Sequence, residues 1–289
     1  VFAIALKQEQ YLTYILSDQK ALSRLEVVPE RGGIATRWQI QGQNILYLDA
    51  ERFANPQLSI RGGIPILFPI CGNLPDNIYT HRGTKYTLKQ HGFARDLPWE
   101  VADQKSSDCA SLQLVLRSNE QTRAVYPFEF QVTFTYQLQG NRLRIEQRYT
   151  NNSDEAMPFS TGLHPYFNVS DKTQLSFDIP SSQYQDQQNQ EIYPFSGTFD
   201  FNREEIDVIF KSLTLHETSL TDNQRRLKIA IHYSDLYSTV VFWTVKGKDY
   251  VCLEPWSAPR NALNTTDNLT YLEPGDTYES FVELVVSYF

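Results

Sequence analysis

The chain has 289 residues and a formal net charge of −8 at pH 7, from 26 Lys+Arg against 34 Asp+Glu. That balance excludes the clustered positive charge that duplex nucleic acid selects, while leaving room for a local anion pocket. Cys71, Cys109 and Cys252 have no Cys-x-x-Cys spacing and support neither a disulfide framework nor a zinc site, and no apolar run approaches the ~20 residues of a membrane helix.

An aromatic content of 13%, from 17 Tyr, 17 Phe and 4 Trp, favours pleated, half-buried surfaces. In chain order, Val1 to Leu6 is apolar but too short for a signal-peptide core. Arg37–Leu48 reads as strand, and Leu112–Leu116 is a short apolar strand closed by the polar stretch from Arg117 to Thr122. Phe130–Leu138 alternates strictly over nine residues, the period-2 mark of a strand with one buried face. Gly140-Asn141 then leads into Leu143–Tyr149, which predicts a hairpin. Ser181–Gln190 is Gln-rich and expected to be a surface loop, and Arg203–Phe210 is at best a short helix. Leu227–Tyr233, Thr239–Val245, Tyr250–Leu253 and Tyr278–Val286 complete the strands. Many short strands divided by turn clusters predict an all-β sandwich or barrel. With no linker, repeat or shift in composition, residues 1–289 read as one domain, cytoplasmic and without nucleic-acid or membrane partners.

Four segments interrupt the strand rhythm with residues that strands do not need. In Arg61-Gly62-Gly63-Ile64-Pro65, paired glycines let the backbone turn sharply beside a fork of guanidinium donors. In His91-Gly92-Phe93-Ala94-Arg95, the imidazole is able to donate to a substrate oxygen, or to sit satisfied in the core beside a structural ion pair. In Gly162-Leu163-His164-Pro165-Tyr166-Phe167, a His on an aromatic wall is either a general acid or a packing residue. In Cys252-Leu253-Glu254-Pro255-Trp256, a carboxylate at an expected strand end is either desolvated, which makes it a better base, or simply exposed. Asp207, without context, reads as a helical or turn acid, and His81, His216 and His232 read as surface residues. No His-x-x-x-His, P-loop or dinucleotide fingerprint is present.

In this order the segments resemble the aldose 1-epimerase (galactose mutarotase) superfamily, nearest its hexose-6-phosphate mutarotase-like branch. The landmarks are Arg61–Pro65 with Phe68-Pro69, His91–Arg95, Leu163–Phe167, Leu253–Trp256 and the closing Leu272-Glu273-Pro274-Gly275-Asp276. The resemblance implies a large antiparallel β-sandwich with a carbohydrate cleft, interconverting α and β anomers without metal or cofactor. It makes Glu254 the general base and His164 the general acid, with Arg61 and His91 at sugar-contacting positions. Asp207 matches an acid that holds a ring hydroxyl, and Arg95 lies within the branch motif. The implied partner is a small sugar or sugar phosphate, bound by a monomer or homodimer. Arg61, Arg95 and Lys85 are the candidates for a phosphate, and the segment from Leu74 to Lys89, which matches no family pattern, is expected to set substrate choice. Pro165 departs from the branch, which often has Thr there. A non-catalytic carbohydrate-binding sandwich is the alternative. A glycoside hydrolase would need Asp207 and Glu254 to face one another without His164 between them.

Overall fold

Alternation sends the apolar side chains of each strand to one face, and the structure, a computed structural model describing residues 1–289, stacks those faces against each other. Phe130–Gln139 and Arg142–Asn151 form the expected hairpin, in register from Phe130↔Asn151 to Gln139↔Arg142. They sit in an antiparallel eight-stranded sheet ordered Leu175–Asp178, Glu217–Asp222, Leu227–Tyr233, Thr277–Tyr288, Arg142–Asn151, Phe130–Gln139, Ala110–Arg117, Glu100–Lys105. A second antiparallel sheet runs Ile192–Pro194, Gln183–Asp186, Glu205–Phe210, Thr239–Val245, Tyr250–Trp256, Gly162–Leu163, Ile66–Leu67, with Tyr166–Asn168 also paired to Tyr250–Trp256. The N-terminal residues add a five-stranded meander from Phe2–Gln8 to Gln43–Asn44.

Phe134, Tyr136 and Ile145 from the first sheet join Val208, Phe242 and Leu253 from the second, and Leu25 and Trp38 from the meander, in one buried cluster. Each large apolar side chain so buried contributes roughly 1.5–3 kcal/mol relative to exposure. The all-β sandwich is the observed architecture, and no helix is long and apolar enough to cross a membrane.

Several local expectations change. Arg203–Phe210 is not a helix: Glu205–Phe210 is a strand, because Ile206, Val208 and Phe210 recur at period 2 and all enter the core. Asp207 is therefore a strand residue. Within Ser181–Gln190, residues Gln183–Asp186 form a strand that pairs with Glu205–Phe210. Arg37–Leu48 is broken by a turn at Gln41-Gly42, both at positive φ, between Ile34–Ile40 and Gln43–Asn44. The stretch from Leu74 to Lys89 is largely a hairpin of Ile78–His81 and Thr84–Thr87. His81 is not a free surface residue, since its Nε2 lies 3.1 Å from Glu155 and its ring packs edge-on against Phe128 at 4.9 Å.

Candidate active site

Strand Tyr250–Trp256 is buried along its whole length and continues through Glu254, so Glu254 is not at an exposed strand end. Val251 and Leu253 point into the main core, which turns Tyr250, Cys252, Glu254 and Trp256 to the opposite face. The ladders set Val241 opposite Glu254, Trp243 opposite Cys252 and Asp207 opposite Trp243, and residues directly opposite share a face.

His164 reaches that face from the other side. Gly162 pairs with Trp256 and Tyr166 with Cys252, so the register carried through the gap puts His164 opposite Glu254. Pro165 has no N–H and splits the strand into Gly162–Leu163 and Tyr166–Asn168. The His164 N–H donates to the Pro65 carbonyl at 3.1 Å, in register with the Gly162↔Leu67 and Leu163↔Ile66 pairs, and so holds the Arg61-Gly62-Gly63 segment alongside.

The Nε2 of His164 lies 3.2 Å from Oε1 of Glu254, and the Trp256 indole N–H donates to Glu254 Oε2 at 3.0 Å. The two side chains are 8% and 1% exposed. Burial pushes the Glu254 carboxyl well above the usual range and the His164 imidazole well below its own, and nearby Arg95 and Arg61 depress His164 further. Both shifts favour the uncharged forms, a protonated carboxyl beside a neutral imidazole. His164 stacks on Tyr166 at 4.7 Å, and its Nδ1 has no hydrogen-bond partner.

His91, at the left-handed φ of 67°, exchanges two hydrogen bonds with Gly72: its N–H donates to the Gly72 carbonyl at 2.7 Å, and its Nδ1 accepts the Gly72 N–H at 3.1 Å. An amide N–H only donates, so the neutral ring carries its proton on Nε2. Burial holds His91 well below the ordinary imidazole value. Its ring stands edge-on to His164 and to Trp256, at 5.6 Å from each.

A Cβ on Gly62 would lie 2.5 Å from Leu48 Cα, so only glycine permits this approach. It leaves the Arg61 guanidinium over the Trp243 ring at 4.9 Å, with Nη1 3.5 Å from the Tyr166 hydroxyl. Asp207 accepts from Arg260 at 2.7 Å and from Gln187 at 2.6 Å; burial nonetheless raises its carboxyl above the usual range. Arg95 donates to the Gln90 carbonyl at 2.9 Å.

Arg61, His91, Arg95, His164, Asp207 and Glu254 all line one cleft of about 360 Å³, within the size range of small-molecule sites. Lys85 is exposed on the hairpin, and no residue from Leu74 to Lys89 lines the cleft; Gln90 is the first that does. The motifs do not announce Arg260, Glu205 or Trp243. Arg260 is admitted by Gly72, where a Cβ would meet its Cγ at 2.3 Å, and Glu205 accepts from the Trp243 indole at 2.7 Å. For Glu205 and Trp243 the signal is strand register, which places both on the Glu254 face. Cys252 is the other unannounced neighbour: its sulfur and ligand atoms of His164 and Glu254 lie within 4.8 Å of one another. Burial raises its thiol well above the usual value, which keeps it neutral.

With fold and cleft established, the chain belongs to the aldose 1-epimerase family, which residues 16–284 match. The Slr1438 protein of Synechocystis sp. PCC 6803, known from its crystal structure, is 48% identical with a TM-score of 0.96, each chain covered 100%. A galactose mutarotase-like protein of Clostridium acetobutylicum has the same fold, with a TM-score of 0.85 at 20% identity, covering 100% of this chain and 99% of that one. A Cenchrus ciliaris protein provisionally named glucose-6-phosphate 1-epimerase is 26% identical over 88% of this chain and 78% of its own length.

Proposed function

We propose that this chain interconverts the α and β anomers of a hexose or hexose 6-phosphate, with Glu254 as general base and His164 as general acid. The observation that carries this reading is the buried 3.2 Å contact between Glu254 and His164 at the wall of a sugar-sized cleft. The reading takes residues 1–289 as one domain, because a single buried cluster runs from Leu16 to Val286.

Ring opening needs a proton taken from the C1 hydroxyl and one given to the ring oxygen. Moving the pair's proton from Oε1 to Nε2 makes the required carboxylate and imidazolium without exchange with solvent. Glu254 then takes the O1 proton, His164 delivers its proton to the ring oxygen, and the pair is again neutral while the sugar is open. Rotation about C1–C2 turns the other carbonyl face, and closure reverses both transfers. Each transfer is worth about 10²–10⁴-fold, sufficient for a reaction already measurable in water.

The remaining groups bind. His91 offers Nε2–H, and Asp207, steadied by Arg260 and Gln187, offers lone pairs to a ring hydroxyl. Arg61 and Arg95 have no carboxylate within ion-pair distance, which suits them to a phosphate on the sugar, and the name of the Cenchrus ciliaris relative points the same way. A purely binding sandwich gains nothing from a neutralised acid–base pair. The hydrolase pairing is disfavoured because Glu254 faces His164 and both Asp207 oxygens are engaged.

The test is NMR exchange between anomers of glucose, galactose and glucose 6-phosphate, with wild type, Glu254→Gln and His164→Asn. Exchange by wild type that both substitutions abolish is expected; equal rates in all three proteins overturn the proposal.

A further inference from the structure

The segment from Leu74 to Lys89, expected to set substrate choice, stays out of the cleft, and the structure ties the Gln-rich stretch Ser181–Gln190 to it instead. Strand Gln183–Asp186 sets Asp186 opposite Val208, so the chain that leaves it runs alongside Asp207 and Glu205. The Gln187 N–H donates to the Asp207 carbonyl at 2.8 Å. Asp186, 1% exposed, fixes the turn that follows: its Oδ1 accepts the Gln188 N–H at 2.8 Å and its Oδ2 accepts from Arg203 at 2.5 Å. The Gln190 N–H closes the turn on the Asp186 carbonyl at 2.9 Å.

Two adjacent amides then grip two carboxylates. Gln187 Nε2 donates to Asp207 Oδ1 at 2.6 Å, and Gln188 Nε2 donates to Glu205 Oε2 at 3.1 Å. The second oxygens are taken by Arg260 on Asp207 and by the Trp243 indole on Glu205, at 2.7 Å each. Each carboxylate is thus clamped by one donor per oxygen, out of the roughly four lone-pair sites it presents. Residues two apart on a strand share a face at a spacing of about 6.8 Å, and both acids line the cleft.

From this geometry we infer that Glu205 and Asp207 form a paired acceptor wall that reads two different hydroxyls of the sugar. The loop from Asp186 to Gln190 sets substrate choice by holding both. The inference rests on the proposed anomer exchange and adds Glu205 to the groups that bind. Gln187 and Gln188 do not line the cleft, so they act through the two acids as positioning residues. Fixed acceptors discriminate because a sugar that lacks or inverts a hydroxyl leaves one of them unpaired.

The experiment measures kcat and KM for anomer exchange of glucose and its C2, C3, C4 and C6 monodeoxy analogues, in wild type, Glu205→Gln, Gln188→Ala and Gln187→Ala. Glu205→Gln is expected to raise KM for glucose about tenfold with kcat nearly kept, and Gln188→Ala about threefold. Both leave KM unchanged for the one analogue that lacks the hydroxyl Glu205 reads, and Gln187→Ala spares a different analogue. An unmoved KM in Glu205→Gln, or an equal rise for every analogue, overturns the wall. An unmoved KM in both glutamine variants, or the same analogue spared by both, overturns the role of the loop. If wild type exchanges no sugar, the epimerase reading fails separately. Ligand-detected NMR then reads the wall: glucose binding weakened by Glu205→Gln upholds it, and equal or absent binding overturns it.

Discussion

Glu254→Gln separates the chemistry of the site from its cost to the fold. The Glu254 carboxyl lies 3.2 Å from His164 Nε2 and accepts from the Trp256 indole across 3.0 Å. A glutamine amide keeps both contacts with nearly the same shape, but its NH2 cannot surrender a proton. Activity should fall by about 10²–10⁴-fold, a barrier increase of roughly 2.7–5.4 kcal/mol at 1.36 kcal/mol per decade. Stability should move the other way. The folded carboxyl titrates well above its unfolded value of about 4.3, so the wild type loses stability as pH rises from there toward the folded value. That loss is at most about 1.4 kcal/mol per pH unit, and glutamine, which does not titrate, escapes it. The variant should therefore melt above the wild type at pH 8, with the difference closing toward pH 4. Anomer-exchange NMR and a calorimetric pH series read the two effects. A variant within a few-fold of wild-type rate, or one that melts lower at pH 8, would refute the neutral-pair argument.

Three other substitutions probe the surroundings. His91 and His164 are held below the ordinary imidazole value, so their stability contribution is intact above the unfolded pKa near 6.5 and is lost as pH falls toward the lowered folded values. His91→Asn should accordingly flatten the decline of melting temperature below pH 6.5, and an unaltered slope would count against a buried neutral His91. Asp207→Asn keeps the Gln187 and Arg260 neighbours but weakens the acceptor offered to a hydroxyl; KM should rise by about tenfold with kcat nearly kept, near 1.4 kcal/mol. A steady-state split in the opposite sense would move Asp207 into the chemistry. Gly62→Ala drives a Cβ to within 2.5 Å of Leu48 Cα at a φ of 139°, so denaturant unfolding should show a loss of roughly 1–3 kcal/mol. An unchanged midpoint would show that the segment relaxes freely.

What the sequence made legible follows from how local each signal is. Phe130–Leu138 announces its strand because one face is apolar without exception, and the structure extends it only to Gln139. Glu205–Phe210 was harder to read: its outward residues are Glu205, Asp207 and the apolar Ile209, so the last three positions form a continuous apolar run that mimics a buried helical turn. The motif residues were legible for a similar reason, since Gly, Pro and His are conspicuous against strand composition. Glu205 and Trp243 are ordinary residues whose place in the cleft depends on strand pairings far apart in the chain, and Arg260, in the turn after Tyr250–Trp256, reaches it by packing over Gly72.

Pro165 shows why the central contact was beyond local reading. Taken by itself, a proline beside His164 argues against a central strand, and the ladder does break there. Yet the register on both sides of the break is the same, so the interruption costs backbone hydrogen bonds without shifting His164 from its place opposite Glu254. The other edge keeps its register too: Gly162 pairs with Leu67 and Leu163 with Ile66, and the His164 N–H continues that ladder to the Pro65 carbonyl, as the Tyr166 N–H does to Gly63. Two ladders, one on each side, thus hold the imidazole opposite the carboxyl and bring the segment that carries the guanidinium to the same cleft.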